Sequence, residues 1–221
     1  SIERLNKYIS QHSALSRRKA DEAIAASLVL IDGKTAQLGD EVTESSIVSI
    51  DGNTLQTKPQ QKVTVLLNKP IGYVSSKDGQ GSKTVYDLLP EEYQDLNIAG
   101  RLDKDSSGLV ILTNDGDLLN ELTHPSYGKE KVYEVELKKE LSTADIEALT
   151  TGLDIGEKLP SKFFAVEQLA PKKYKVTLQE GRNRQIRKMI KLIDNAVLKR
   201  HRKRIGPYHS YGIDPGKTKQ V

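Results

Sequence analysis

Residues 101–109 read RLDKDSSGL: two aspartates, an arginine, a lysine and two serines in one short polar segment, followed at once by the apolar stretch that ends in LVILT. Residue types and spacing admit three chemistries. Asp103, Asp105 and Ser107, with Gly108 after them, match the first half of an EF-hand calcium loop. That pattern needs a bidentate Glu at its twelfth position, which here is Asn114, and helical flanks, whereas LVILT reads as a buried strand. The second possibility is a solvated turn between strands. The third is a catalytic carboxylate, Asp103, held between cations. The nine residues by themselves do not decide between these last two.

The rest of the chain narrows the choice through charge. The net charge is a modest +4 over 221 residues, so distribution matters more than total. From Arg182 to Arg204 there are ten Lys or Arg and one acid, Asp194. Arg17, Arg18 and Lys19 form a second cluster. Two separated basic clusters on an otherwise balanced chain fit an extended polyanion, and a solvated face is the plain alternative. Arg17–Lys19 also fall in the first turn of a helix that Ser16 is placed to cap. The macrodipole disfavours cations there by a few tenths of a kcal/mol each, up to ~1. A cationic helix start is suited to receiving phosphates from outside. Further on, Ile186, Met189, Ile190 and Ile193 make an apolar stripe, and Arg184, Arg187, Lys188 and Lys191 repeat its spacing two residues earlier, about 200° round the helix. One face of that helix is expected to pack and the other to meet phosphates.

Composition excludes other classes. No apolar run approaches the roughly 20 residues that span a bilayer. The opening SIERLNKYIS has no apolar core of the signal-peptide kind. With no cysteine there is no disulfide framework and no thiolate metal site, which fits the cytosol, and four scattered histidines lack metal-ligand spacing.

These residues must be positioned by elements that the patterning announces. Leu5, Tyr8 and Ile9 recur at helical spacing, and Ala20, Ala23 and Ile24 mark the helix after Ser16. Short strands follow, broken at Asp32-Gly33 and Gly39-Asp40. Residues 1–52 read as one unit, 53–61 as a linker, and 62–221 as a larger domain. The larger domain opens with the strand VTVLLNKP and carries LVILT, KVYEVEL, FFAVEQL and YKVTLQEG as further strands. A turn or short helix precedes Pro90, LLNEL is a short helix, and STADIEALTTGL is a capped one. Strands outnumber helices and hairpin turns abound, so the class is α+β with a mixed, largely antiparallel sheet.

At this point specific segments stop being anonymous. GRLDKDSSGLVILTNDGDL, LTHPSYGKEKVYEVEL and EGRNRQIRKM together resemble the RsuA/RluB/RluE/RluF family of RNA pseudouridine synthases, and residues 4–42 resemble the S4 RNA-binding domain that precedes such enzymes. The resemblance runs over nearly the whole chain in the family's order. It implies the pseudouridine synthase fold, a central mixed sheet flanked by helices, preceded by a small α/β S4-like domain. It implies Asp103 as the catalytic aspartate, Tyr133 as the aromatic that stacks on the target base, and Arg187 as the cation paired with the carboxylate. It places Arg101 in the cleft and Ile186 at an apolar contact to it. Arg17, Arg18, Lys19, Arg184, Lys188 and Lys191 are the expected RNA contacts. Asp105 is read as a turn residue or helper, and His124 as structural. The chain departs from the family at its end: Arg200 and Lys203 stand where apolar residues are expected, and IDN replaces a glycine-containing turn.

The implied activity is isomerisation of a specific uridine in ribosomal RNA, the large-subunit RNA being expected, by a cytosolic monomer. The N1–C1′ bond breaks, the base turns and C5 takes its place. An ionised Asp103 either attacks C1′ or removes a proton from C2′, and a nearby cation favours the charged form. No metal, redox partner or nucleotide is required. A stacked base is out of reach, so the uridine must be flipped out. The rivals are a non-enzymatic RNA-binding or ribosome-assembly protein that keeps the fold, a synthase acting on tRNA, and a calcium-binding protein.

Overall fold

The computed structural model describes residues 1–124, 128–182 and 184–221. Pro125–Tyr127 of the LTHPSY segment and Asn183 of RNRQIR lie outside the described residues.

The N-terminal unit contains β1 (Ile2–Arg4), α1 (Leu5–His12), α2 (Arg17–Ala25), β2 (Val29–Ile31), β3 (Lys34–Thr35), β4 (Glu41–Thr43), β5 (Val48–Ile50) and β6 (Asn53–Thr54). Its helices bury the expected stripe: Leu5, Tyr8, Ile9, Ala20, Ala23 and Ile24 pack with Val29, Val42 and Val48. Ser16 caps α2, its side chain accepting from the Lys19 amide. β6 pairs with β5 and Leu55 packs on this core, so the sheet runs into the segment read from sequence as linker. Asn53–Thr54 carry no apolar alternation, and only the hairpin ladder recruits them.

The larger domain contains β7 (Thr64–Lys69), β8 (Asn97–Ala99), β9 (Ser107–Thr113), α3 (Gly116–Thr123), β10 (Lys131–Leu137), α4 (Thr143–Thr151), β11 (Ala165–Ala170), β12 (Lys173–Leu178), α5 (Gln185–Leu192), β13 (Val197–Ile205), β14 (Tyr208–His209) and β15 (Thr218–Gln220). The main sheet has the order β11-β12-β10-β13-β9-β7-β15, with β8 on β9 and β14 on β13. All its pairings are antiparallel except β13 with β9. The expected mixed, largely antiparallel sheet is therefore what forms. α5 buries Ile186, Met189 and Ile190 against Tyr133, Val135, Leu137 and Tyr174, and α3 covers β7 and β9 through Leu122 and Leu118.

The two units meet along α3. Gly116 admits the backbone of residues 14–16 so closely that a Cβ there would collide with it. The Arg17 amide donates to Asp117 Oδ1 at 2.7 Å, its guanidinium lies 3.8 Å from Asp117 Oδ2, and Arg18 Nε reaches Asn120 Oδ1 at 3.2 Å. Lys62 Nζ donates to the Ser13 carbonyl. Of the cations that look misplaced at the start of α2, Arg17 thus faces a carboxylate from the other unit, while Arg18 and Lys19 pair with Glu22 of their own helix. The far end of α3, at Leu122 and Thr123, lines the cleft described below.

The 101–109 loop, between β8 and β9, is pinned from three sides. Ser75 Oγ donates to the Leu102 carbonyl at 2.7 Å and accepts from the Leu102 amide at 3.1 Å. Beneath it lies Lys69, which is wholly buried at the end of β7. Lys69 Nζ donates to the carbonyls of Pro70 (2.9 Å) and Lys104 (3.4 Å), and Lys104 O also accepts from the Gly72 amide. On the third side Gly108, at φ +115°, presses on the Arg202 backbone where β9 and β13 pair, and a Cβ would overlap it. Arg202 completes the join, donating from Nε to Leu109 O at 2.9 Å and from Nη1 to Arg101 O at 3.3 Å.

Two measurements test this support. Gly108→Ala adds overpacking to left-handed strain and should cost about 3 kcal/mol, lowering Tm by roughly 6–12 °C in thermal unfolding. An unchanged Tm would mean that β9 and β13 do not approach as described. For Lys69, burial pushes the ammonium down from its ordinary 10.5 to about 8, against the opposing pull of Asp105 and Asp103. With the folded value below the unfolded one, the penalty is full below about pH 8 and is relieved as pH rises towards 10.5. Urea denaturation of wild type and Lys69→Met should therefore diverge by about 3 kcal/mol in favour of wild type between those limits. A constant difference would place Lys69 in water.

Candidate active site

Asp103 projects from the pinned loop into a cleft of about 540 Å³. Its side chain is about one-third exposed. The cleft is lined by seven cationic side chains, Arg101, Lys104, Lys131, Arg182, Arg184, Arg200 and Arg202, against one carboxylate, Asp103. Arg182 is committed to Glu180 and Glu157, at 3.1 and 3.5 Å. Even so, the field favours an anionic chain threading past a single carboxylate.

Asp103 Oδ2 lies 3.2 Å from Arg184 Nη1 and 3.5 Å from Arg200 Nη1. Asp105 Oδ2 lies 3.2 Å from Arg187 Nη2 and 3.5 Å from Arg184 Nη2. The expected partner of the carboxylate is thereby corrected. Arg187 pairs with Asp105, and Arg184 and Arg200 hold Asp103. The cause is local backbone. Arg184 is the N-cap of α5 in the left-handed region, φ 50° and ψ 32°, which sends its guanidinium to the loop. Arg187, one turn into the helix, is carried towards the outer aspartate. Both carboxylates are counter-charged by guanidiniums, so the pair does not form half of a calcium cage. Among the described residues no cluster of three or more His, Cys, Asp or Glu side chains is arranged to hold a metal.

Tyr133, in the middle of β10, is buried at the cleft floor and its register partners are Val176 and Arg202. Burial pushes its phenol up, but Arg202, Arg200 and Lys131 together outweigh burial and leave it below its ordinary value. The ring is not bare: the Arg200 guanidinium carbon sits 4.7 Å from its centroid. The apolar wall is also not where it was expected. Ile186 is buried in the cluster behind Tyr133 and does not line the cleft, while Val74, Leu102, Leu122 and Ile205 do.

Of the other expected contacts, Arg101 stands exposed on the cleft wall with no ion pair among the described residues. Lys188 and Lys191 lie on the outer side of α5, Lys188 half-buried and Lys191 exposed. Arg17, Arg18 and Lys19 lie on the surface at the seam, paired with Asp117 and Glu22. Arg200, Arg202, Lys69 and Ser75 were not among the expected site residues. A signal for two of them was present: Arg200 and Arg202 are two apart in a strand, and period-2 alternation puts both on one face. Their immediate neighbours on the other face confirm the alternation, with Lys199 and Lys203 paired to Glu136 and Glu134.

Comparison with known proteins agrees with the fold. Residues 63–192 match the RNA pseudouridylate synthase family model, and residues 3–48 match the S4 domain. The chain is 37% identical over 205 residues to ribosomal small subunit pseudouridine synthase A of Pseudomonas aeruginosa, covering 92% of this chain and 89% of that one. It is 34% identical over 227 residues to ribosomal large subunit pseudouridine synthase B of Bacillus subtilis, covering 100% of this chain and 92% of that one. A crystal structure of a pseudouridylate synthase superposes with a TM-score of 0.72 at 30% identity, over 99% of this chain and 95% of the other. With an S4 domain ahead of a mixed-sheet domain whose cationic cleft holds one carboxylate, the chain belongs to the RNA pseudouridylate synthase family and is an RNA pseudouridine synthase.

Proposed function

We propose that this enzyme isomerises a specific uridine in structured ribosomal RNA, with Asp103 acting at the ribose. The observation that carries this reading is the lone cleft carboxylate, tied to two guanidiniums and placed beside Tyr133. Both named relatives act on ribosomal RNA, one on each subunit.

The chemistry follows from the geometry. The uridine leaves its helix and enters the cleft, where its anionic backbone meets Arg101, Lys104 and Lys131, cations without an ion pair among the described residues. Asp103 either attacks C1′, expelling uracil through N1, or takes the C2′ proton so that uracil leaves from a glycal. In both routes the detached base carries negative charge, which Arg184 and Arg200 are positioned to stabilise. The base turns and C5 bonds to C1′, displacing the Asp103 carboxylate from C1′ in the first route and, in the second, adding to the glycal as Asp103 returns the proton to C2′. C5 then loses its hydrogen and N1 gains one, so product and substrate are isomers and no external reductant or oxidant enters.

Arg184 supports the reading through strain. A non-glycine residue in the left-handed region costs about 1–2 kcal/mol. Exposed ion pairs return about 0–1 kcal/mol. Stability alone therefore does not account for the conformation, and placing a cation against Asp103 does. We assign residues 1–55, whose sheet β6 completes, and the outer face of α5, with Lys188 and Lys191, to anchoring the RNA, residues 56–61 to the connection, and residues 62–221 to the reaction.

Tritium release from ribosomal RNA carrying 5-³H-uridine, prepared from cells lacking this gene, tests the assignment. Wild type should release tritium, and Asp103→Asn should lose about 10⁴-fold or more of that rate, the scale of removing a catalytic carboxylate. An Asp103→Asn variant as fast as wild type would exclude Asp103 from the reaction.

A further inference from the structure

Of the cations that line the cleft, Arg182 is spent on the protein. Its Nε faces Glu180 Oε2 at 3.1 Å and Glu157 Oε2 at 3.5 Å, and its terminal nitrogens donate to the carbonyls of Leu159 and Pro160. A guanidinium with its fork of donors so placed works as a bolt. It fastens residues 157–160 to the rim of the cleft. Arg182 also forms part of the wall of a second groove, of about 340 Å³, which Leu159, Pro160, Lys162, Phe164 and Gln179 line with it.

The chain has two phenylalanines, and they are adjacent. Phe163 is buried in the cluster that holds Leu149. Phe164, the next residue, turns outward and is 55% exposed. Its backbone is braced on both sides: the Phe163 amide donates to the Leu149 carbonyl and the Phe164 amide to the Thr177 carbonyl, each at 2.8 Å. Leu159, in the same groove, is 64% exposed. Apolar side chains exposed singly are ordinary; two that line one groove on braced backbone are not. Lys162 is exposed and has no ion pair among the described residues. The acid on the groove wall, Glu180, is taken up by Arg182, Gln185 and Ser161. The groove therefore offers an aromatic face, aliphatic walls and an available cation, with no unpaired anion among the described residues.

We propose that this groove seats unpaired nucleotides adjoining the target uridine, with Phe164 as the stacking platform for one of their bases. The proposal rests on the pseudouridylation reading above and extends it from the reacting nucleotide to its neighbours. Three physical points favour RNA as the occupant. A flipped uridine has left its stack, so the base beside it has lost a partner that an aromatic ring replaces. The groove shares Arg182 with the cleft, so a strand leaving Asp103 on that side meets it next. An exposed ring beside a cation holds single strands by stacking and charge, with tolerance of sequence, and the paired Glu180 leaves little to repel a phosphate. Tyr133 and Phe164 then divide the work: the cleft tyrosine serves the target base and the outer ring its neighbour.

The chain has no tryptophan, so Phe164→Trp installs a single reporter in the groove. In the Asp103→Asn background its emission should be quenched as ribosomal RNA from cells lacking this gene is added. Emission unmoved at RNA concentrations that saturate binding would overturn the proposal. Function is read by single-turnover tritium release from the same RNA carrying 5-³H-uridine, over a range of enzyme concentrations, with thermal unfolding as the folding control. Phe164→Ala should raise the half-saturating concentration about fivefold or more, the loss of one base stack, and by a larger factor than it lowers the maximal rate. Phe164→Leu, apolar without a ring, should behave as Phe164→Ala does, and Phe164→Trp should stay near wild type. A half-saturating concentration unchanged in Phe164→Ala removes the groove from RNA binding, and one unchanged in Phe164→Leu reduces the ring to an apolar contact; either result sinks the proposal. So does a Phe164→Ala variant that is normal on purified RNA and impaired only on ribosomal subunits from the same cells, because the occupant is then a ribosomal protein. Should Phe164→Ala fail to fold, the leucine and tryptophan variants decide. A wild type that releases no tritium strikes the pseudouridylation reading itself, and this proposal with it, whereas release by wild type leaves the variants to judge the groove alone.

Discussion

The structure turns on the neutralisation of two aspartates by three arginines that come from two distant parts of the chain. Asp103 and Asp105 sit on one loop, Arg184 and Arg187 at the start of α5, and Arg200 on β13. These pairs contribute little to stability, since partly exposed ion pairs yield about 0–1 kcal/mol each. What they determine is geometry. They require that β9, β13 and the N-terminal turn of α5 converge on one point, and the rest of the larger domain is arranged to allow it.

That convergence is enforced by elements with no charge to offer the substrate. The parallel contact between β9 and β13 is the one parallel pairing in the main sheet, and it brings Gly108 against the Arg202 backbone. Ser75 clamps the residue before Asp103, and Lys69 fills the space under the loop with an ammonium that burial disfavours. The site therefore stands on a floor that is locally unfavourable in two places: a left-handed arginine at 184 and a desolvated lysine at 69. Such features persist only where the surrounding packing over-determines them, and here the hydrophobic clusters packed on the sheet do so.

The S4-like unit is joined to this machinery chiefly through one helix. α3 takes the backbone of residues 14–16 at Gly116 and offers Asp117 to the start of α2, while its other end reaches the cleft. The same arginines that suggest phosphate binding from sequence also make the seam, so RNA bound there would be felt at the contact between the two units. A short helix spanning from seam to cleft is a rigid spacer between the S4-like unit and Asp103.

Much of this was legible in the residues themselves. Period-2 and period-3.6 apolar patterns marked the strands and helices, the Ser16 cap was readable by its chemistry, and GRLD, KVYEV and RNRQIR carried the family and the carboxylate. These are local properties, decided by neighbours within a turn or a hairpin. Which arginine meets which aspartate was not local. Arg184 and Arg187 are three residues apart, and only the left-handed backbone at 184 assigns the first to Asp103 and the second to Asp105. Arg200 looked like a departure from pattern until the pairing of β13 with β9 and β10 placed it on the Tyr133 ring. Sequence by itself determined which groups the protein has for its chemistry, because composition and period are written along the chain. Tertiary structure alone decided which of them touch, because Asp103 and Arg200 lie ninety-seven positions apart and their contact depends on strand order and register that no local pattern encodes.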